Sequence, residues 1–335
     1  MTDSARNERW NLNDAPRLDG KVAIVTGATG GLGFETALGL ARRGASTILA
    51  GRNADKGARA VSHIQRAIPA AKARFAMLDL ASLASVASFA DAVIAAQGGT
   101  IDILVNNAGF MGPPVRLLTA DGFERQIGVN YLGHFALTAR LKDALCAAQG
   151  GGRVVSVASL SHRRAALNLD DLQSETVYRP MTAYGQSKLA MLMFAIELQR
   201  RTERNRWNLC SIAAHPGWAR TDIIFNGIGG GAPGLKPWLI DRAFGLVAQS
   251  AGDGALPLLY AAMAPEAKGG AYYGPSGWGE TRGAPGPSVI APQAADPVAA
   301  ARLWTLSEKL TAVRFDPMDA GSADPGAAPS AVAPD

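Results

Sequence analysis

Apolar residues along the chain fall in short continuous runs separated by stretches of helical period. The runs at Val22–Thr26, Thr47–Ala50, Arg74–Leu78, Ile103–Val105, Arg153–Ser159 and Asn208–Ala214 are apolar, with recurring β-branched residues, and predict strands. Between them the pattern predicts helices at Phe34–Arg43, Asp55–Ile68, Leu83–Ala96, Gly122–Ala148 and Thr182–Arg201. Strands without polar alternation, each followed by a helix, bury both faces. They predict an α/β fold, a single doubly wound parallel sheet with helices on both faces.

The alternation fades from Phe225 to Pro257, where Gly and Pro interrupt a stretch containing Trp and Ile, and again at Tyr272–Pro287. Residues 316–335 are low-complexity Ala, Pro, Gly and Ser, which bury too little apolar surface to offset the entropy of ordering. The expected organisation is an N-terminal arm at 1–20, one domain at 21–315 with a C-terminal loop at 272–292, and a disordered tail at 316–335.

With 335 residues, 48% of them hydrophobic, the chain can bury a sizeable core. The net charge of +5 is modest, and Arg200, Arg201, Arg204 and Arg206 fall at a predicted helix end, where cations complement the dipole. There is no nucleic-acid motif or aromatic-interleaved basic surface, so no nucleic-acid partner is expected. Cys146 and Cys210 stand far apart without a CxxC, which suggests neither a disulfide framework nor a zinc site and fits a reducing cytosol. No metal site is expected, because His162 and His215 lack companions at ligand spacing. The N-terminus lacks a signal-peptide core, and no uncharged apolar run is long enough to span a bilayer. The expectation is a soluble, cytoplasmic protein.

The octapeptide TGATGGLG, Thr26–Gly33, joins the first strand to the first helix. In an open α/β sheet ligands bind beyond the carboxyl ends of the strands, which is where Gly27, Gly31 and Gly33 stand. Lacking Cβ, they permit a sharp turn, close approach of backbone to a pyrophosphate, and tight helix–strand packing. An ordinary glycine-rich turn is the alternative for the loop alone. The second strand ends at Arg52 with no acid at its tip, and Asn53 reads as an N-cap that puts Asp55 in the first helical turn. An Arg in that position suits a 2′-phosphate, whereas an acid suits a free ribose hydroxyl. NADP(H) is therefore favoured over NAD(H), with Asp55 as the rival determinant. Asp79, after the third strand, is a candidate adenine contact.

Further along, NNAG (Asn106–Gly109) ends the fourth strand, Ser159 ends the fifth, and AYGQSKLA places Tyr184 and Lys188 on one helix face. Together these suit hydride transfer coupled to a proton. An unperturbed tyrosine titrates near pKa ~10, and lowering it by roughly two to three units takes ~3–4 kcal/mol. An ammonium at about 4 Å supplies ~4 kcal/mol at an effective dielectric of ~20, so Lys188 is expected to lower the Tyr184 pKa. Ser159 can hold the substrate oxygen by hydrogen bonding. Asn130, in GVNYLGHF, can relay protons through water from Lys188, or can be a structural amide.

TGATGGLG, NNAG, Asn130, Ser159, YGQSK and HPGWARTD occur in the order found in the short-chain dehydrogenase/reductase family, which this chain resembles from about Lys21 to Tyr273. The resemblance implies a Rossmann fold, a catalytic tetrad of Asn130, Ser159, Tyr184 and Lys188, and a ribose contact from Lys188. It further implies cofactor contacts from Gly27, Thr29, Gly31, Leu32, Gly33, Arg52, Asp79, Leu80, Asn106, Ala108, Gly109, Tyr184, Pro216, Gly217 and Thr221. AGRNADKG, HPGW and the long segment between Ser159 and Tyr184 resemble the retinol-dehydrogenase-like branch, itself similar to protochlorophyllide reductases. No apolar anchor precedes the domain, a departure from membrane-bound members.

The expected reaction is NADP(H)-dependent interconversion of a carbonyl and an alcohol. A non-catalytic redox sensor and an enoyl-type reductase are the alternatives. Phe110, Met111, Leu160, His162 and Trp218 are the candidate substrate wall, and the apolar character of all but His162 suggests a bulky apolar small molecule. Segment 221–244 combines apolar side chains with GIGGGAPG and is expected to form a mobile lid, against the alternative of a rigid packed loop. The family's habit of pairing through the helices at Gly122–Ala148 and Thr182–Arg201 implies a homo-oligomer, unless the insertion before Tyr184 covers that face.

Overall fold

The computed structural model describes residues 10–219 and 249–315. β1 (Val22–Thr26) turns through the glycines into α1 (Gly31–Arg42), followed by β2 (Ser46–Gly51), α2 (Ala54–Ala67), β3 (Ala73–Met77), α3 (Leu83–Ala96) and β4 (Ile103–Asn106). The next helical stretch is broken into α4 (Arg125–Ile127), a π-helical turn at Gly128–Leu132, and α5 (Gly133–Cys146). After β5 (Gly152–Val157) come a 3₁₀ turn at Leu160–Arg164, α6 (Pro180–Asn205) and β6 (Leu209–Ala214). The described chain closes with α7 (Ala251–Met263), β7 (Tyr272–Pro275), β8 (Pro285–Pro287), α8 (Pro292–Ala295) and α9 (Pro297–Thr311).

The strands lie in the order β3-β2-β1-β4-β5-β6-β7-β8, all parallel except the antiparallel edge strand β8. Winding reverses between β1 and β4, where Ala23 pairs with Ile103, and a crevice opens beyond the carboxyl ends of these two strands. Helix caps bear out the local readings: Asn53 Oδ1 accepts from the Lys56 N–H at 2.8 Å, which puts Asp55 in the first turn of α2.

One face of the sheet packs α1, α2 and α7 around small residues and Tyr260. The other packs α3, α5, α6 and α9 around an aromatic cluster of Tyr131, Phe135, Phe194, Trp304 and Phe315. The Trp304 ring lies 5.1 Å from that of Phe135 and 5.8 Å from that of Phe194, with the Arg201 guanidinium 4.2 Å over its face. Helix α9 and Phe315 thus sit on α5 and α6, the helices through which family pairing was expected.

Three expectations change. Residues 10–20 are not a separate arm: Trp10, Ala15 and Leu18 are buried, and the Trp10 ring meets Tyr260 edge-on at 5.4 Å. The stretch 272–292 is not simply a loop but supplies β7 and β8, whose Gly and Pro content hid them; Pro285 and Pro287 are tolerated because β8 is an edge strand. The single helix predicted at Gly122–Ala148 is interrupted by the π turn. Helix α7 escaped notice because Pro257 and two glycines punctuate it. The expected lid at 221–244, Thr221 and the tail at 316–335 lie outside the described residues.

Candidate active site

The crevice encloses about 1010 Å³ and is lined by the glycine turn, the tips of β2 and β3, and residues 107–111 after β4. Gly27 adopts φ +67°, and a Cβ there would come within 2.9 Å of Ala108 Cα. At Gly33 a Cβ would meet Asn107 Nδ2 at 2.4 Å and the Gly27 carbonyl oxygen at 2.5 Å. Both positions demand glycine because β1, β4 and α1 meet in van der Waals contact. Gly30 caps α1 without any side-chain hydrogen bond, so the first N–H groups of the helix are left for an anion in the crevice. A dinucleotide pyrophosphate fits this cradle.

Thr26, at the tip of β1, organises the floor. Its Oγ1 accepts from the N–H groups of Asn107 and Ala108, each at 2.9 Å, and lies 2.9 Å from His134 Nε2. His134 Nδ1 stands 3.0 Å from the Asn130 carbonyl, which can only accept, so the proton is assigned to Nδ1 and Thr26 donates to Nε2. Burial pushes the His134 pKa down to about 3, which keeps the ring neutral.

At the adenosine end, Arg52, Lys56 and Arg59 line the crevice with Asn53 and His63. Asp55 is not among the lining residues; the acids that are, Glu35 and Asp79, stand on α1 and after β3, and neither belongs to β2 or its tip. Asp79 also shapes its own turn, accepting from the Ala81 N–H at 3.0 Å while its N–H donates to Ser85 Oγ. Thr29, Gly31, Leu32, Leu80, Ala108 and Gly109 line the crevice as well.

The candidate catalytic side chains are not among the residues that line the crevice; Ser159, Tyr184 and Lys188 lie beyond it, at the end of β5 and on α6. Tyr184 and Lys188, one turn apart on α6, are 9% and 3% exposed. Burial pushes the Tyr184 pKa up to about 12, with a hydrogen bond from Ser159 as the opposing influence. This reverses the expected lowering by Lys188: taking the phenol out of water outweighs what surrounds it. Burial also brings Lys188 down to about 8, and its Nζ donates to the Val157 carbonyl at 2.9 Å. Asn130 lies in the π turn, and its amide is a clamp. Oδ1 accepts from the Phe110 N–H at 2.7 Å, while Nδ2 donates to the Phe110 carbonyl and to Ser187 Oγ, each at 2.9 Å. The structural role of this side chain is thereby seen directly.

Two assigned residues are corrected. Asn106 is fully buried and donates to Thr138 Oγ1 on α5, so it faces away from the crevice; side chains alternate along a strand, and Asn107 faces the cradle instead. His162, expected in the substrate wall, is also fully buried. Its Nδ1 donates to the Ser159 carbonyl at 2.7 Å, and its ring meets Tyr272 edge-on. Phe110 and Met111 do line the crevice, Leu160 follows Ser159 on the 3₁₀ turn, and Trp218 is 43% exposed after β6. Pro216 and Gly217 also follow β6, with Gly217 at φ +63°. Lys56, Arg59, Asn107, Arg125 and His134 were missed from sequence. The cations on α2 could have been found from their spacing behind Arg52, whereas His134 offers no local signal.

A glycine cradle at the switch point, with a buried tyrosine and lysine one turn apart beyond it, is the architecture of a nucleotide-dependent α/β oxidoreductase. The chain belongs to the short chain dehydrogenase family, whose profile matches residues 21–226, and within it to the retinol-dehydrogenase-like branch. The family uses a nicotinamide cofactor. The chain is 43% identical over 261 residues to mouse polyprenol dehydrogenase, covering 76% of this chain and 75% of that one. Human retinol dehydrogenase 13 is 39% identical over 297 residues, covering 88% and 85%. An uncharacterised protein from Mycobacterium paratuberculosis superposes with a TM-score of 0.75 at 38% identity, over 92% of this chain and 99% of that one.

Proposed function

We propose that the protein is an NADP(H)-dependent oxidoreductase interconverting a ketone or aldehyde and its alcohol on a bulky apolar substrate. The observation that carries the reaction type is the buried pair Tyr184 and Lys188, one helical turn apart on α6, with Ser159 near enough to oppose the rise in the Tyr184 pKa. Bound in the crevice, the dinucleotide supplies or accepts the hydride. Tyr184, kept protonated by burial, donates its hydroxyl proton to the carbonyl oxygen, and Ser159 holds that oxygen by hydrogen bonding. Lys188, fixed by the Val157 carbonyl, would hold positive charge toward the cofactor ribose. In the reverse direction that charge favours the phenolate that takes the proton back. The clamp from Asn130 to Phe110 and Ser187 keeps the cofactor floor and α6 in register.

The phosphate preference is supported by Arg52, Lys56 and Arg59 around the adenosine end, with no acid at the tip of β2. An apolar substrate is supported by Phe110 and Met111, and by the names of the two relatives, which specify alcohols of hydrocarbon character. A cytoplasmic setting belongs to the same proposal, supported by the free Cys146 and Cys210. Among the described residues no helix is long and apolar enough to cross a membrane. Self-association through the α5 and α6 face would meet α9, which packs on both helices.

The test is oxidation of NADPH and NADH by the purified protein against steroid ketones, retinoids, aromatic ketones and aliphatic aldehydes. Faster consumption of NADPH, with bulky apolar carbonyls preferred, is expected. Binding of NADPH without turnover of any carbonyl would point to a redox sensor. Reduction confined to conjugated C=C bonds would point to an enoyl-type reductase.

A further inference from the structure

Glu280 lies on the turn between β7 and β8, beyond the residues matched by the family profile. It adopts φ +57° directly after Gly279 at φ +61°. A residue with a side chain takes that left-handed conformation only where its surroundings hold it there. The surroundings are specific. The carboxylate Oε1 stands 2.6 Å from Arg163 Nη2 and accepts from the Val289 N–H at 3.2 Å, while Oε2 stands 3.2 Å from His215 Nε2. Burial raises the carboxyl pKa, but hydrogen bonds from His215 and Val289 and the charge of Arg163 outweigh it and bring the group to about 2.

Each partner leads to a segment that carries a candidate site residue. His215 is fully buried, and its Nδ1 accepts from the Gly217 N–H at 3.1 Å; the proton is therefore on Nε2, facing Glu280 and Ser288. Gly217 is held from the other side as well, because a Cβ there would come within 2.4 Å of the Thr281 carbonyl oxygen. That oxygen also accepts from the Trp218 N–H at 2.8 Å. Arg163 belongs to the 3₁₀ turn capped by Ser159, and its neighbour His162 grips the Ser159 carbonyl.

We infer that Glu280 is a positioning residue: its carboxylate locks the Pro216–Gly217 loop to the turn carrying Ser159, and so sets the nicotinamide half of the crevice without touching the adenosine half. A carboxylate suits the position because it pairs its charge with an arginine while accepting from an imidazole N–H, which a neutral amide cannot match. This rests on the dinucleotide reading above.

The experiment compares full-length wild type, Glu280→Gln and Arg163→Gln by calorimetric binding of NADPH and of 2′,5′-ADP, the adenosine half alone, with kcat measured on the best carbonyl. Glu280→Gln is expected to weaken NADPH roughly tenfold, the scale of one charge-assisted hydrogen bond, while 2′,5′-ADP stays within about twofold and kcat falls. Arg163→Gln cuts the same link from the other side and is expected to show the same selectivity, so it decides the matter if Glu280→Gln does not fold. Equal weakening of both ligands, or unchanged NADPH binding and kcat in a folded variant, would overturn the inference. A wild type that binds neither ligand would instead overturn the dinucleotide reading, and this inference with it.

Discussion

The crevice and the Tyr184–Lys188 cluster beyond it are made of different materials. The first is main chain and long exposed cations: the glycine turn, the open N-terminus of α1, and Arg52, Lys56 and Arg59, all within one stretch of the chain. The second is side chains drawn from the π turn, the 3₁₀ turn, α6, the segment after β6 and the β7–β8 turn, most of them buried and each fixed by a named partner. A phosphate can be held by dipoles and mobile charges, because attraction to a dianion tolerates small displacements. Proton transfer does not, since it needs a donor at hydrogen-bond distance in the right protonation state. The molecule spends its buried polar groups where placement is critical and leaves flexible ones where charge suffices.

The sharpest way to break this contrast is at Tyr184. Tyr184→Phe keeps the ring and removes the donor, so turnover is expected to fall by ~10²–10⁴-fold, the range of general acid–base catalysis, with NADPH affinity nearly unchanged. Near-normal turnover in this variant would remove Tyr184 from the mechanism. Arg52→Ala, at the other end, is expected to weaken NADPH by roughly ten- to a hundredfold while sparing NADH, from the loss of a charge-assisted hydrogen bond of ~1.5–3 kcal/mol. Paired binding titrations check this; equal losses for both cofactors would transfer the selection to Asp55 or another group.

The smallest effect sharpens the contrast within the catalytic end. Burial lowers Lys188 to about 8 from 10.5, so its ammonium is present below that pH and is lost on raising pH through it, while Tyr184 keeps its proton to about 12. The pH profile of kcat/KM for reduction is therefore expected to be level below pH ~8 and to fall above it by up to about tenfold per unit. A profile that stays level to pH ~10 would show that burial does not control the lysine.

The readings that held came from local chemistry. Runs of apolar residues located β1 to β6 to within a few residues, because a strand covered on both faces has no choice of composition. Asn53 as a cap and the glycine demands at Gly27 and Gly33 are likewise decided within a few bonds. Strands β7 and β8 were not legible, since three or four residues of Gly, Pro and Tyr carry no period. The interruption before α5 was also hidden, as a π turn leaves the apolar pattern almost intact.

By itself the sequence determined the α/β class and the cradle and singled out the candidate reacting side chains, because each follows from residue type and short-range spacing. Only the tertiary structure decided which way each group faces and what its protonation state is. It turned Asn106 and His162 inward, brought Lys56 and Arg59 to the crevice, raised Tyr184 where an adjacent lysine alone suggested lowering, and joined Glu280 to Arg163 and His215. Burial and long-range hydrogen bonds set orientation and pKa, and neither exists until residues distant along the chain are packed together.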